Sequence, residues 1–149
     1  MKAGLQEDFA GYIRARPLLA RGRTADAMAE LERLRLIALY PHYFSFFETQ
    51  ALERWSIAET LVALGRYDEA MPRYVHMVGN SPLELVFLAP AHLRQAEMHE
   101  RAGRRAEAAH HYRAFLELWT DPDPELAPLR DQARVALAAL RATSPASGE

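Results

Sequence analysis

The residue types in this chain best suited to chemistry are its histidines, and four of the six fall close together, at His92, His99, His110 and His111. On a helix, His92 and His99 share a face, whereas the adjacent His110 and His111 point about 100 degrees apart and are poorly placed to bind one metal ion. No His-Glu-x-x-His motif accompanies them and no carboxylate completes a convincing ligand set. The absence of cysteine removes disulfides, thiolate metal sites and thiol nucleophiles together. A Gly-x-Ser-x-Gly elbow, a phosphate-binding glycine loop and a dinucleotide fingerprint are also missing from the sequence. Acidic residues stand beside arginines, as in Glu30, Glu32, Arg33 and Arg35, which is the pattern of a solvated helix face. The expectation is therefore a chain with no catalytic residue, no cofactor and no metal site.

The elements that carry these residues are bounded by composition. With 149 residues, 50% of them hydrophobic, the chain can bury one sizeable core and is expected to form a single domain. Its formal charge of -2 leaves no basic excess to offset a phosphate backbone, so a nucleic-acid partner is not expected. Such a partner would require Arg94, Arg101, Arg104 and Arg105 to form a continuous positive stripe. Residues Met1 to Leu5 lead directly into the polar Gln6-Glu7-Asp8 without an apolar core, so no signal peptide is read there. No run approaches the ~18 apolar residues of a membrane span, and a cytoplasmic location is expected. Lys2 is the only lysine and alanine is abundant, a bias that suggests a GC-rich bacterial coding sequence.

A repeat organises the chain. Aligned on Gly22, Gly65 and Gly103, each glycine is followed by arginine (Arg23, Arg66, Arg104) and flanked in frame by alanines, Ala15 and Ala27, Ala58 and Ala70, Ala96 and Ala108. Further on stand Leu31, Tyr74 and Tyr112, and then Leu34, Met77 and Phe115. Apolar residues recur at helical spacing on both sides of each glycine, as in Trp55, Ala58, Leu61 and then Ala70, Tyr74. This predicts a helical hairpin. Glycine ends the first helix in the left-handed conformation that it adopts without a side-chain penalty. Asp68 is expected to cap the second helix, and paired alanines let the two axes approach closely. Neither helix can bury both its faces alone, so hairpins must stack.

These residues resemble the tetratricopeptide repeat. The unit 51–82 matches best, with Ala58, Leu61, the run Gly65-Arg66-Tyr67-Asp68-Glu69-Ala70, Tyr74 and the closing Pro82. The unit 89–122 keeps Ala96, Gly103, Ala108 and Tyr112 but has His99 where the family prefers an aromatic, and the unit 8–39 carries Pro17 inside its leading helix, where a kink or split is expected. Successive glycines stand further apart than the repeat's ideal period of about 34 residues, and the extra residues fall in 38–47 and 79–88. A capping helix is expected over 124–141, with a frayed tail at 142–149, making 1–141 one domain. The texture is also similar to C-terminal repeat arrays of bacterial regulatory proteins, among them serine/threonine kinases and transcriptional activators. The fold this implies is an all-α right-handed solenoid of about three hairpins plus the capping helix.

The resemblance further implies a function. In the family one face of each leading helix lines a concave groove that binds protein or peptide, and the matching positions here are Tyr12, Arg16, Trp55, Glu59, Leu93, Arg94, Glu97 and Arg101. Tyr12, Trp55 and Leu93 equally suit a core. Glu59 and Glu97 stand where the family's clamp for chaperone-tail carboxylates has asparagine, which argues against that ligand class. Tyr40-Pro41-His42-Tyr43-Phe44-Ser45-Phe46-Phe47 reads either as an extension of the next helix packed between hairpins or as an exposed anchor for a partner or for self-association. The rival readings are a structural subunit of a permanent complex, an enzyme on a helical scaffold and a nucleic-acid-binding regulator.

Overall fold

A computed structural model describes residues 2–34, 51–77 and 82–142, with side chains from residue 10 and, after the second gap, from residue 84. The aromatic segment 40–47, most of the Gly-Asn-Ser-Pro turn signal and the expected tail lie outside the described residues. Every regular element among the described residues is helical: α1 (Lys2–Ala20), α2 (Thr24–Leu31), α3 (Ala51–Ala63), α4 (Tyr67–Met77), a 3-10 turn (Pro82–Phe87), α5 (Leu88–Arg101), α6 (Arg105–Leu118) and α7 (Ala127–Ala142). They fall into two compact units, residues 1–84 and 85–149.

Three turns of the same construction join the helices in pairs. Gly22, Gly65 and Gly103 adopt φ of 70°, 74° and 72°. In each turn the N–H of the following arginine bonds the carbonyl five residues back at 2.9 Å, from Arg23 to Leu18, Arg66 to Leu61 and Arg104 to His99. The glycine N–H bonds the carbonyl three back, which completes a Schellman motif and satisfies two of the helix's orphan carbonyls. The same arginine opens the next helix, because its own carbonyl accepts the N–H of Ala27, Ala70 or Ala108 at 3.0 to 3.1 Å. One residue thus ends one helix and starts another. Asp68 consequently lies within the first turn of α4 rather than ahead of it, and it is not the cap expected from the sequence. The third helical position carries an acid each time (Asp26, Glu69, Glu107), where it complements the positive end of the helix dipole.

In the first unit α1 packs on α2, α3 on α4, and α2 on α3. The alanines expected at the crossings are buried, with Ala15 at 1% exposure and Ala27, Ala58 and Ala70 at 0%. Leu31, Tyr74 and Met77 fill the space beside them. Arg66, just ahead of α4, bonds Glu69 of its first turn at 2.7 Å and reaches Glu32 at 3.3 Å, which links the end of α2 to the start of α4. Pro17 does not split α1, which runs unbroken from Lys2 to Ala20. The carbonyl it leaves without a helical donor is that of Ile13, whose side chain is exposed and whose backbone can be solvated. Pro72 stands in the second turn of α4, on an exposed face, and the helix continues through it.

In the second unit α5 packs on α6 and α6 on α7. Ala96 and Ala108 are fully buried at the crossing, and Leu93, Tyr112, Phe115, Ala133 and Leu137 build the core around it. Two arginines fasten α7 at its ends. Arg105 donates to the Leu140 carbonyl at 2.7 Å, one of the carbonyls that a helix C-terminus leaves unpaired, and Arg130 donates to the Trp119 carbonyl at 2.8 Å. The helix starts at Ala127, after a turn in which Leu126 and Ala127 both donate to the carbonyl of Asp123.

Candidate functional site

The residues expected to line a groove separate into two kinds. Tyr12, Trp55 and Leu93 occupy the same frame position in α1, α3 and α5, and that position faces inward. Tyr12 and Leu93 are each 5% exposed, and Leu93 belongs to the core of its unit with Tyr112 and Phe115. They are core residues, because the crossing alanines draw the second helix of each hairpin close enough to cover them. Trp55 is half-buried and meets Tyr74 of α4 edge to face, with ring centroids 5.3 Å apart. Glu59 is also turned to its own hairpin, where it accepts the Tyr74 hydroxyl at 2.5 Å.

The other charged members, Arg16, Arg94, Glu97 and Arg101, remain at least partly accessible. Arg16 is exposed and donates to the Tyr12 hydroxyl at 3.1 Å, its guanidinium lying 6.0 Å from the ring centroid. On α5, Arg94 pairs with Glu97 at 2.8 Å, both partly accessible, and Arg101 is exposed near the end of the same helix. A partly accessible ion pair of this kind contributes little to stability. Tyr112 repeats the arrangement of Tyr74 with another acid, donating its hydroxyl to Glu100 at 2.6 Å. Burial first, then that hydrogen bond, pushes the Tyr112 phenol up from its ordinary value.

A second cluster combines residues that spacing alone did not bring together. His92 and His111, on α5 and α6, face each other through their Nδ1 atoms at 2.9 Å. His99 stacks on His111 with centroids 5.3 Å apart and planes 8° from parallel, and His110 meets His111 edge-on. Arg104 donates from Nε to Nδ1 of His99 at 2.9 Å. Burial pulls the His92 and His99 rings below their ordinary pKa, aided by His110 at His92 and by Arg104 at His99, while Glu107 opposes at His99. His111 is pushed down to about 4 by burial and by the neighbouring His92, His99 and His110. The clue in the sequence was the shared face of His92 and His99. The partner across the turn was set by the α5–α6 register. Among the described residues no group of three or more His, Asp or Glu side chains is arranged to hold a metal ion.

Comparison with protein-family models, with curated proteins and with solved structures finds no match to this chain. No helix among the described residues is long and apolar enough to cross a membrane.

Proposed function

We propose that this chain is a non-catalytic interaction module, a short right-handed solenoid of the tetratricopeptide type that binds protein or peptide through the outer faces of its leading helices α1, α3 and α5. The observation that supports this reading is the threefold recurrence of one hairpin, with the same left-handed glycine, the same Schellman bonds and the same buried alanine pair. Repeats of this kind stack to bury a continuous core and leave a row of equivalent helix faces for a ligand. Burial of Tyr12 and Leu93 moves the binding role to the charged side chains, Arg16 in the first unit and Arg94, Glu97 and Arg101 in the second. Arginine on such a face favours a ligand with carboxylates, which it engages through charge-assisted and bidentate hydrogen bonds.

The test is direct binding. Peptides selected against the purified chain from a displayed library should be acidic, and Arg94→Glu with Arg101→Glu should weaken them at least tenfold while helicity is unchanged. Selected peptides indifferent to both substitutions would place binding elsewhere. A partner that co-purifies stoichiometrically and does not dissociate on dilution would favour a permanent structural subunit instead.

A further inference from the structure

We propose that the histidine cluster of α5 and α6 is an acid-sensitive latch, which holds this hairpin closed while its rings are neutral and releases it when they take up protons.

Three contacts impose the requirement, each for its own reason. The His92 and His111 Nδ1 atoms are 2.9 Å apart, so one must donate and the other accept. A doubly protonated pair would set two N–H groups and two positive charges against each other, and the contact would be lost. Nδ1 of His99 accepts the Nε–H of Arg104, which a protonated imidazole cannot do because both its nitrogens are donors. Protonation of His99 therefore replaces a hydrogen bond with a like-charge contact. His99 also stacks on His111, so a charge on either ring repels a charge on the other.

The latch is placed where opening has structural consequences. Arg104 is the residue that both ends α5 and starts α6, and its N–H bonds the carbonyl of His99 itself. Displacing its side chain disturbs the turn of the hairpin. The charged and titratable groups acting on the three rings among the described residues are His110, Arg104 and Glu107. Two of these, Arg104 and a protonated His110, oppose a positive ring, and only Glu107 favours one. No group of α7 is among them.

The sign follows from the direction of these effects. Rings held below their ordinary pKa contribute stability that is complete above about pH 6.5 and is lost as pH falls from there, in the case of His111 toward about 4.

Hydrogen–deuterium exchange on the intact chain tests the latch at pH 7.5 and pH 5.0, after correction for the intrinsic exchange rate. Amides of α5 and α6 should open about tenfold more at pH 5.0. That increase should vanish in His99→Gln/His111→Gln and persist in His76→Gln, a substitution in α4 outside the cluster. An equal increase in the double variant would overturn the proposal. Should the double variant fail to fold at pH 7.5, a proton NMR titration of the wild-type rings decides. Ring signals of His92, His99 and His111 that titrate near 6.5 with the hairpin's exchange protection intact would overturn it, and signals that shift only as protection is lost would support it.

Discussion

Glu84 has a side chain only 1% exposed, and it forms an ion pair with Arg54 of α3 that joins the helix to the 3-10 turn. Burial pulls the Arg54 guanidinium below its ordinary pKa, with Glu53 opposing, so this cation depends on carboxylates for compensation. Among the described residues, the second carboxylate oxygen of Glu84 and Nε of Arg54 are buried without hydrogen-bond partners. Removing one charge strands the other, a change that commonly costs about 3–5 kcal/mol, whereas replacing both with apolar residues is often neutral. Glu84→Ala should therefore be markedly destabilised in urea denaturation, and Arg54→Met/Glu84→Leu should recover most of the loss. Equal stability of the two variants would contradict this account. Nothing in Pro82-Leu83-Glu84-Leu85 marked the glutamate as buried, because its environment comes from a helix 30 residues earlier. The hairpin glycines were legible for the opposite reason, since a left-handed residue is a local requirement. At Gly65 a Cβ would meet nothing within 4 Å, so Gly65→Ala should cost about 1–2 kcal/mol from backbone conformation alone, measurable as a lowered thermal midpoint.

Helices and their pairing were read almost completely from the spacing of alanines around each glycine, because hairpin contacts join residues near in sequence. Boundaries were less legible. The α4 start at Tyr67 rather than after Asp68, and the α7 start at Ala127 rather than 124, both follow from backbone hydrogen bonds that side-chain pattern does not report. The candidate binding residues were divided by the same geometry. Tyr12 and Leu93 went to the core because their position faces the second helix of the hairpin, and a pattern of apolar and charged residues does not distinguish a buried aromatic from a binding one. Ala70, at 0% exposure, measures how tightly α3 and α4 cross. Its replacement by leucine should overpack the crossing and cost about 1–3 kcal/mol. An unchanged thermal midpoint would mean that the helices do not meet there. Tyr74→Phe leaves the packing intact and removes only the hydroxyl held by Glu59, so a smaller loss, about 1 kcal/mol, is expected by the same measurement.

For the molecule as a whole, the all-helical class followed from hydrophobic periodicity and the absence of strand alternation, and circular dichroism should report a predominantly helical protein. What the proposed interaction surface would recognise was not legible. Repeat sequences encode their packing in the positions that must be small or apolar, while recognition uses surface positions that the packing leaves free to vary. Charge gives the sharper indication, since Arg94, paired with Glu97 at the surface, and the exposed Arg101 stand on the same helix. The most direct test of the interaction-module account is the affinity of a selected acidic peptide for the wild-type chain and for Arg94→Glu/Arg101→Glu, measured at low and high salt alongside circular dichroism. The account predicts that the variant keeps its helicity, binds at least tenfold more weakly and loses most of its salt dependence. A well-folded variant with unchanged affinity and unchanged salt dependence would contradict it.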